Sequence, residues 1–394
     1  MVSSGWFRPV LPLAAFVLLV STVAWVRVPV LPEMGADLSL SPTELGWVVT
    51  SFGLGRLGMD LPAGRLADRV DPLRMFTLAA LLMGLVSGLM AAAPSLGWIL
   101  VATFLLGAGS ATSNTTGMTA LSGSAPDDRR GSAMALYSGS LLVGQAMGPV
   151  IGGFAASAGT WRAALATAAG LGLIVAAGST MARRSGAGDR ISRVRRQRPA
   201  PLGPPLSATQ HLVLFGVGFS VFFTMGAMAQ TLVPVMGADD LHLHSAAIGM
   251  ALGAGGLSRI VGATLTGMVA DQISRRAALL PCLVLQAGGV GLLAFGQGTA
   301  WWVLAIVTMS LGSSGTAIGA TMLGDRARPA EMGRALGRYR FAGDIGLVSG
   351  PVLAAWIYDI GGRGLAVATV CAVLVTVVVA ATTLPETGTR STRR

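Results

Sequence analysis

Apolar runs recur along the whole chain at roughly 20 residues each, the length a helix needs to cross about 30 Å of hydrocarbon. No water is available inside a bilayer, so backbone groups must bond within each run, and the runs are expected to be helices. Of the 394 residues, 53% are hydrophobic and only 11% charged. That is too little charge to cover the surface of a soluble protein of this size. The expected class is therefore an all-α membrane protein. Spans are placed near 10–32, 44–66, 73–93, 96–122, 132–156 and 161–182, then near 210–235, 246–270, 276–296, 300–323, 334–357 and 363–384. The 55 glycines fit this class, because small residues let membrane helices approach closely.

The formal net charge of +11 raises nucleic acid as a partner, but the placement of the charge excludes it. Every basic residue is Arg, and most lie in short loops on one side of the expected membrane. Arg65, Arg69, Arg74, Arg129, Arg130, Arg275, Arg276, Arg326 and Arg328 share the side of an Arg- and Pro-rich stretch, 183–209. The opposite loops carry Glu33, Asp37, Asp239 and Asp240 with almost no Arg. Under the positive-inside rule the Arg side is cytoplasmic and so are both termini, in the cell (plasma) membrane. The stretch 183–209 is too polar to insert, and reads as a cytoplasmic linker between halves 1–182 and 210–394. Cys282 and Cys371 each sit in an apolar run and read as free thiols. The apolar stretch after Arg8 continues past Trp25 to Pro32 with no small-residue cleavage site, so it reads as the first span rather than a signal peptide.

An internal repeat organises the chain. A shift of 203 residues superposes Arg27 on Gln230, Asp37 on Asp240, Gly46 on Gly249, Arg56 on Arg259, Gly64 on Gly267 and Asp68 on Asp271. A shift of 202 pairs Gly131 with Gly333, Tyr137 with Tyr339, Gly144 with Gly346, and Gly148-Pro149 with Gly350-Pro351. Chance apolar similarity does not keep charged residues in register. Two parallel halves suit a transporter whose central site opens alternately to each side.

The loop after the second span reads Gly64-Arg65-Leu66-Ala67-Asp68-Arg69-Val70-Asp71-Pro72-Leu73-Arg74, and the second half repeats it from Gly267 through Asp271 to Arg275-Arg276. This resembles the signature of the major facilitator superfamily, with Asp71-Pro72-Leu73 replacing its usual Gly and basic pair. The resemblance covers essentially the whole chain. It implies twelve transmembrane helices in two pseudo-symmetric six-helix halves, a small-molecule substrate, a monomer, and no cofactor, with a proton gradient as energy source. It also implies a latch, in which Asp68 accepts from a neighbouring helix N-terminus and pairs with Arg340 of span eleven. Gly64, Arg69, Gly267, Asp271 and Arg275 complete the latch set; a static stabilising role for Asp68 is the other reading.

Span five carries Gly144, Gly148, Pro149, Gly152 and Gly153, which resembles the antiporter motif of the superfamily's drug exporters, with Ala135 at its first Gly. The second half keeps Gly350 and Pro351 but ends in Ala354-Ala355. Pro149 removes a backbone hydrogen bond, so the run serves either bending or close packing. An Arg common in span four of proton-driven exporters is replaced here by Thr103.

Charges within the spans complete the reading, since each costs about 2.5–3.5 kcal/mol at mid-bilayer. Arg56 and Arg259 fall near the midplane, Arg27 and its counterpart Gln230 in the outer third, and all four are substrate-cavity candidates placed to meet an anionic or polar compound. Asp60 follows Arg56, and Asp344 follows Arg340, by one turn. They are either neutralised structural pairs or proton-coupling sites. His242-Leu243-His244 lacks a third ligand, so no metal is expected. No Walker-type loop or nucleophile–base pair appears, which argues against a pump or an enzyme. Proton-coupled efflux of small organic or drug-like compounds is the leading expectation, and uptake or facilitated passage of a small anion is the alternative.

Overall fold

The computed structural model describes residues 7–67, 70–125, 129–184, 205–295, 298–327 and 332–387. Most of the expected linker, at 185–204, lies outside them, as do Asp68, Arg69 and Arg328. Among the described residues ten helices are long and apolar enough to cross a membrane by length and composition. The chain forms two compact units. Unit 1 comprises Met1–Leu40, Ser51–Arg196 and His244–Gly253; unit 2 comprises Ser41–Thr50, Gln197–Leu243 and Ala254–Arg394.

In unit 1, helix α1 (Phe7–Trp25) gives way to a 3-10 turn (Val28–Val30) and a short α2 (Leu31–Leu38). The break follows from Pro29 and Pro32, which lack the N–H groups that would continue the ladder. The long helices are α3 (Pro42–Ala67), which starts in unit 2, then α4 (Pro72–Ala91), α5 (Leu96–Ser124), α6 (Arg130–Ser157) and α7 (Trp161–Arg184). Asp71 accepts from the Leu73 and Arg74 amides at 3.2 and 3.1 Å, with Pro72 next in line. The departure at Asp71-Pro72 in the loop signature is therefore an N-cap followed by a pre-set first helical residue.

In unit 2, α8 (Ala208–Thr224) opens with a capping box from Ser207 and Gln210. It runs into a π-helical stretch (Met225–Leu232) and α9 (Val233–Asp239). Pro234 cannot donate to the carbonyl one turn back, and the ladder shifts so that the Val233 amide bonds Met228 O. The Thr231 hydroxyl takes up the Gly226 carbonyl at 2.8 Å. Next come α10 (Ser245–Gln272), which begins in unit 1, α11 (Arg275–Phe295) and α12 (Thr299–Gly312). A 3-10 turn (Ser313–Gly315) separates α12 from α13 (Thr316–Arg326), where span ten is expected to be continuous. Ser313, Ser314 and Thr316 each turn a hydroxyl back onto a carbonyl of the preceding turn, at 2.6 to 2.8 Å, which loosens the α ladder there. The last element, α14 (Met332–Ala381), is two helices joined at Gly362, whose φ of 68° suits glycine. That kink falls between the spans expected at 334–357 and 363–384. Leu214, Val217, Leu279, Leu283, Met322 and Tyr339 form the core of this unit.

Candidate functional site

The helix break in unit 1 carries Arg27. The residue is 2% exposed, and its guanidinium carbon stands 4.5 Å from the centre of the Phe52 ring. Phe52, Arg56 and Asp60 occupy successive turns along one face of α3. The hydrogen bond seen for Arg56 among the described residues is not to Asp60. Its guanidinium reaches across to α5, where Nη1 donates to Ser110 Oγ at 3.3 Å. Close backbone approach brings α5 within that reach, since a side chain at Gly55 would run into Phe104 O and one at Gly107 into Phe52 O. Thr103, in the place where Arg was looked for, is fully buried and bonds its own helix at Ile99 O, 2.5 Å away.

Unit 2 repeats the theme with different chemistry. Gln230, the counterpart of Arg27, lies 2% exposed inside the π-helical stretch. Arg259 places Nη1 3.9 Å from the Met225 sulfur on the same stretch. Asp344 is 2% exposed on α14, one turn from the exposed Arg340. Both halves thus depart from α geometry at the position of the cavity candidate on their first span. Such discontinuities in membrane helices accompany binding sites.

The glycines of the antiporter-type run act in packing. Cβ atoms at Gly144 and Gly152 would collide with Leu18 O and Val26 O of the first span, and one at Gly148 would lie 2.6 Å from Trp25 Cβ. Gly346 and Gly350 meet Phe219 O and Phe223 O in the same way. Gly153 faces Ser245 O, and Gly249 faces Pro149 O. α6 stays helical through Pro149. Two tyrosines brace the same helices: Tyr137 Oη donates to Asn114 O at 3.0 Å, and Tyr339 Oη to Thr316 O at 2.8 Å. Donors and acceptors are each 202 apart (339 − 137; 316 − 114), so the repeat extends to individual hydrogen bonds.

Of the latch set, Asp271 and Arg275 come together at 2.7 Å, and Arg275 also reaches Asp325 at 3.4 Å. Glu386 caps α11 by accepting from the Arg275 and Arg276 amides at 2.8 and 3.3 Å, while Arg326 donates to Glu386 O at 2.7 Å. Space beside Gly267 is open, with no described atom within 4 Å of an added Cβ. Gly64 lies in α3. Asp325 and Glu386 went unnoticed in the sequence, although an acid on the Arg-rich side was the available signal. So did two Arg residues on the acidic side. Arg162 pairs with Asp37 at 2.6 Å and Arg363 with Asp240 at 3.4 Å. Glu33 joins this outer set, accepting from the Trp161 amide and the Ser245 hydroxyl at 2.8 and 3.0 Å.

The chain resembles an uncharacterized MFS-type transporter, EfpA, of Mycobacterium tuberculosis, with 29% identity over 44% of this chain and 33% of that protein. It is 32% identical to the multidrug export protein EmrB of Haemophilus influenzae over 36% of this chain and 28% of that protein. The chain spans about a third of the length of these curated relatives. The crystal structure of a bacterial homolog of the human lysosomal transporter Spinster, inward-facing and occupied, shares the fold at a TM-score of 0.74. It has 17% identity over 95% of this chain and 94% of that one. The model of the Major Facilitator Superfamily matches residues 13–237 and again 211–394. Matched over both halves and folded as that family folds, the chain belongs to the Major Facilitator Superfamily.

Proposed function

We propose that the chain is a secondary-active transporter, exporting small organic or drug-like compounds in exchange for protons by alternating access. The observation that carries this reading is the glycine run of α6, seated tightly on the first span at Gly144, Gly148 and Gly152. It resembles the motif of drug exporters, and the name of the relative EmrB as a multidrug export protein points the same way. In this reading twelve spans, six in 1–182 and six in 210–394 joined by the linker 183–209, sit in the plasma membrane with both termini cytoplasmic. α3 supplies one span, and the kink at Gly362 divides α14 into two. Asp60 and Asp344 are the proton sites, Asp68 with Arg340 the latch, and the protein works as a monomer.

The test uses cells that express the chain and are loaded with a fluorescent amphiphile. Export should empty them, and a protonophore should stop it. Export that continues after the gradient has collapsed would overturn proton coupling; gradient-driven accumulation would overturn export. A second reading, a dedicated anion carrier, is favoured by Arg56, which bonds only a neutral hydroxyl among the described residues. It predicts that only anions move, in either direction.

A further inference from the structure

We propose that unit 1 holds a subsite for an anionic group, built from Arg56, Ser110, Phe52 and Arg27, and that the transported compounds are organic carboxylates on an apolar body. The inference rests on the transport reading and names its substrate class. A guanidinium keeps its charge under all physiological conditions and offers five donors in a planar fork. In a membrane span such a charge needs a counter-charge or a wet cavity. Among the described residues, Arg56 has one hydrogen bond, to the uncharged Ser110, and its buried Nε has none. Asp60 stands on the next turn, and the bond seen for Arg56 runs to α5. The residue is half-buried rather than sealed, so a ligand has access to it.

The donors left over match a carboxylate. The two Nη groups of one guanidinium each offer an N–H, and a planar two-oxygen anion takes them as a bidentate pair. One turn outward, Phe52 offers an aromatic face on which Arg27 is stacked at 4.5 Å. A second positive charge therefore stands beside the same ring, and the ring gives an apolar body somewhere to lie. The span interiors of this unit carry Arg27 and Arg56 against Asp60, an excess of positive charge however these groups are paired. A cationic amphiphile would enter that field unfavourably and an anionic one favourably.

An anion on an apolar body is also the chemistry of an anionic lipid, so the test separates the two sources. Purified full-length protein in a neutral detergent is titrated calorimetrically with decanoate, decylamine, decanol and phosphatidylglycerol. Decanoate should bind saturably, with decylamine and decanol at least about tenfold weaker. Arg56→Gln should weaken decanoate by about tenfold or more, while Arg56→Lys, which keeps the charge without the fork, should retain part of the affinity. Arg162→Gln, at the outer pair with Asp37, should leave it unchanged. Equal binding of decylamine, or undiminished decanoate binding by Arg56→Gln, would overturn the proposal. Binding of phosphatidylglycerol through Arg56 that shuts decanoate out would overturn it too, in favour of a lipid site. Decanoate bound through Arg56 but not moved by a proton gradient would sink the export reading and leave the subsite standing. Gradient-driven export of other compounds without decanoate binding would do the reverse.

Discussion

Arg56 and Glu386 show opposite ways of handling charge in this chain. Glu386 is met by two backbone amides at the start of α11, and by Arg326 at its own carbonyl. Hydrogen bonds to a charged acceptor contribute about 1.5–3 kcal/mol each at best. Glu386→Gln keeps the shape and loses the charge, so it should lower stability by about 1–2 kcal/mol, read as a fall in the thermal midpoint in detergent. Arg56 bonds the neutral Ser110 hydroxyl instead, and in the proposed reading its charge serves the compound carried. Asp60→Asn should leave folding intact while flattening the pH dependence of transport; an unchanged pH profile would move the proton site elsewhere. The sequence exposed the buried Arg and Asp residues plainly, because charge inside an apolar run is conspicuous. It hid their partners. Ser110, Phe52 and Met225 are ordinary residues of apolar spans, and only the crossing of helices makes them neighbours of Arg56, Arg27 and Arg259.

At the scale of elements, run length and apolarity located the helices, while the interruptions inside them followed subtler rules. Pro29 with Pro32 breaks the first span, but Pro149 leaves α6 helical and Pro234 converts the turn before it to π geometry. A proline removes one bond in every case, and the neighbouring hydroxyls and packing decide how the ladder recovers. The Ser-rich turn at Ser313–Gly315 was legible only as composition. The glycines sort in a way that can be measured. Gly144 lies hard against the Leu18 carbonyl, whereas an added Cβ at Gly139, on the same helix, meets no described atom within 4 Å. Gly144→Val should therefore abolish or sharply reduce folded protein in the membrane, and Gly139→Val should be tolerated. Fluorescence-detected size exclusion of the two variants decides it, and equal profiles would refute the packing role given to the run. Pro149→Ala should impair turnover more than folding; a simple loss of protein would make Pro149 a structural residue.

For the whole molecule, the repeat is the feature that sequence and structure share most closely. Registers of 202 and 203 residues carry through to the tyrosine braces and to the distorted first span of each half, and the outer pairs Arg162–Asp37 and Arg363–Asp240 recur at shifts of 201 for Arg and 203 for Asp. The halves differ where the work of coupling is proposed: Arg27 against Gln230, Asp60 against a neutral Ala263, Gly152-Gly153 against Ala354-Ala355. In the proposed cycle, this asymmetry of charge assigns proton and substrate to the first half. Asp68→Asn should slow cycling without loss of insertion, and a normal rate would remove the latch from the account. The central claim, coupled export, is tested most directly with purified protein in liposomes that hold a pH reporter under an imposed proton gradient. Small organic anions, neutral amphiphiles and cationic amphiphiles are added in turn. The account predicts proton movement on addition of an organic anion, lost in Asp60→Asn and weakened in Arg56→Gln. Compound crossing the membrane with no proton movement, or proton movement unchanged in Asp60→Asn, would contradict it.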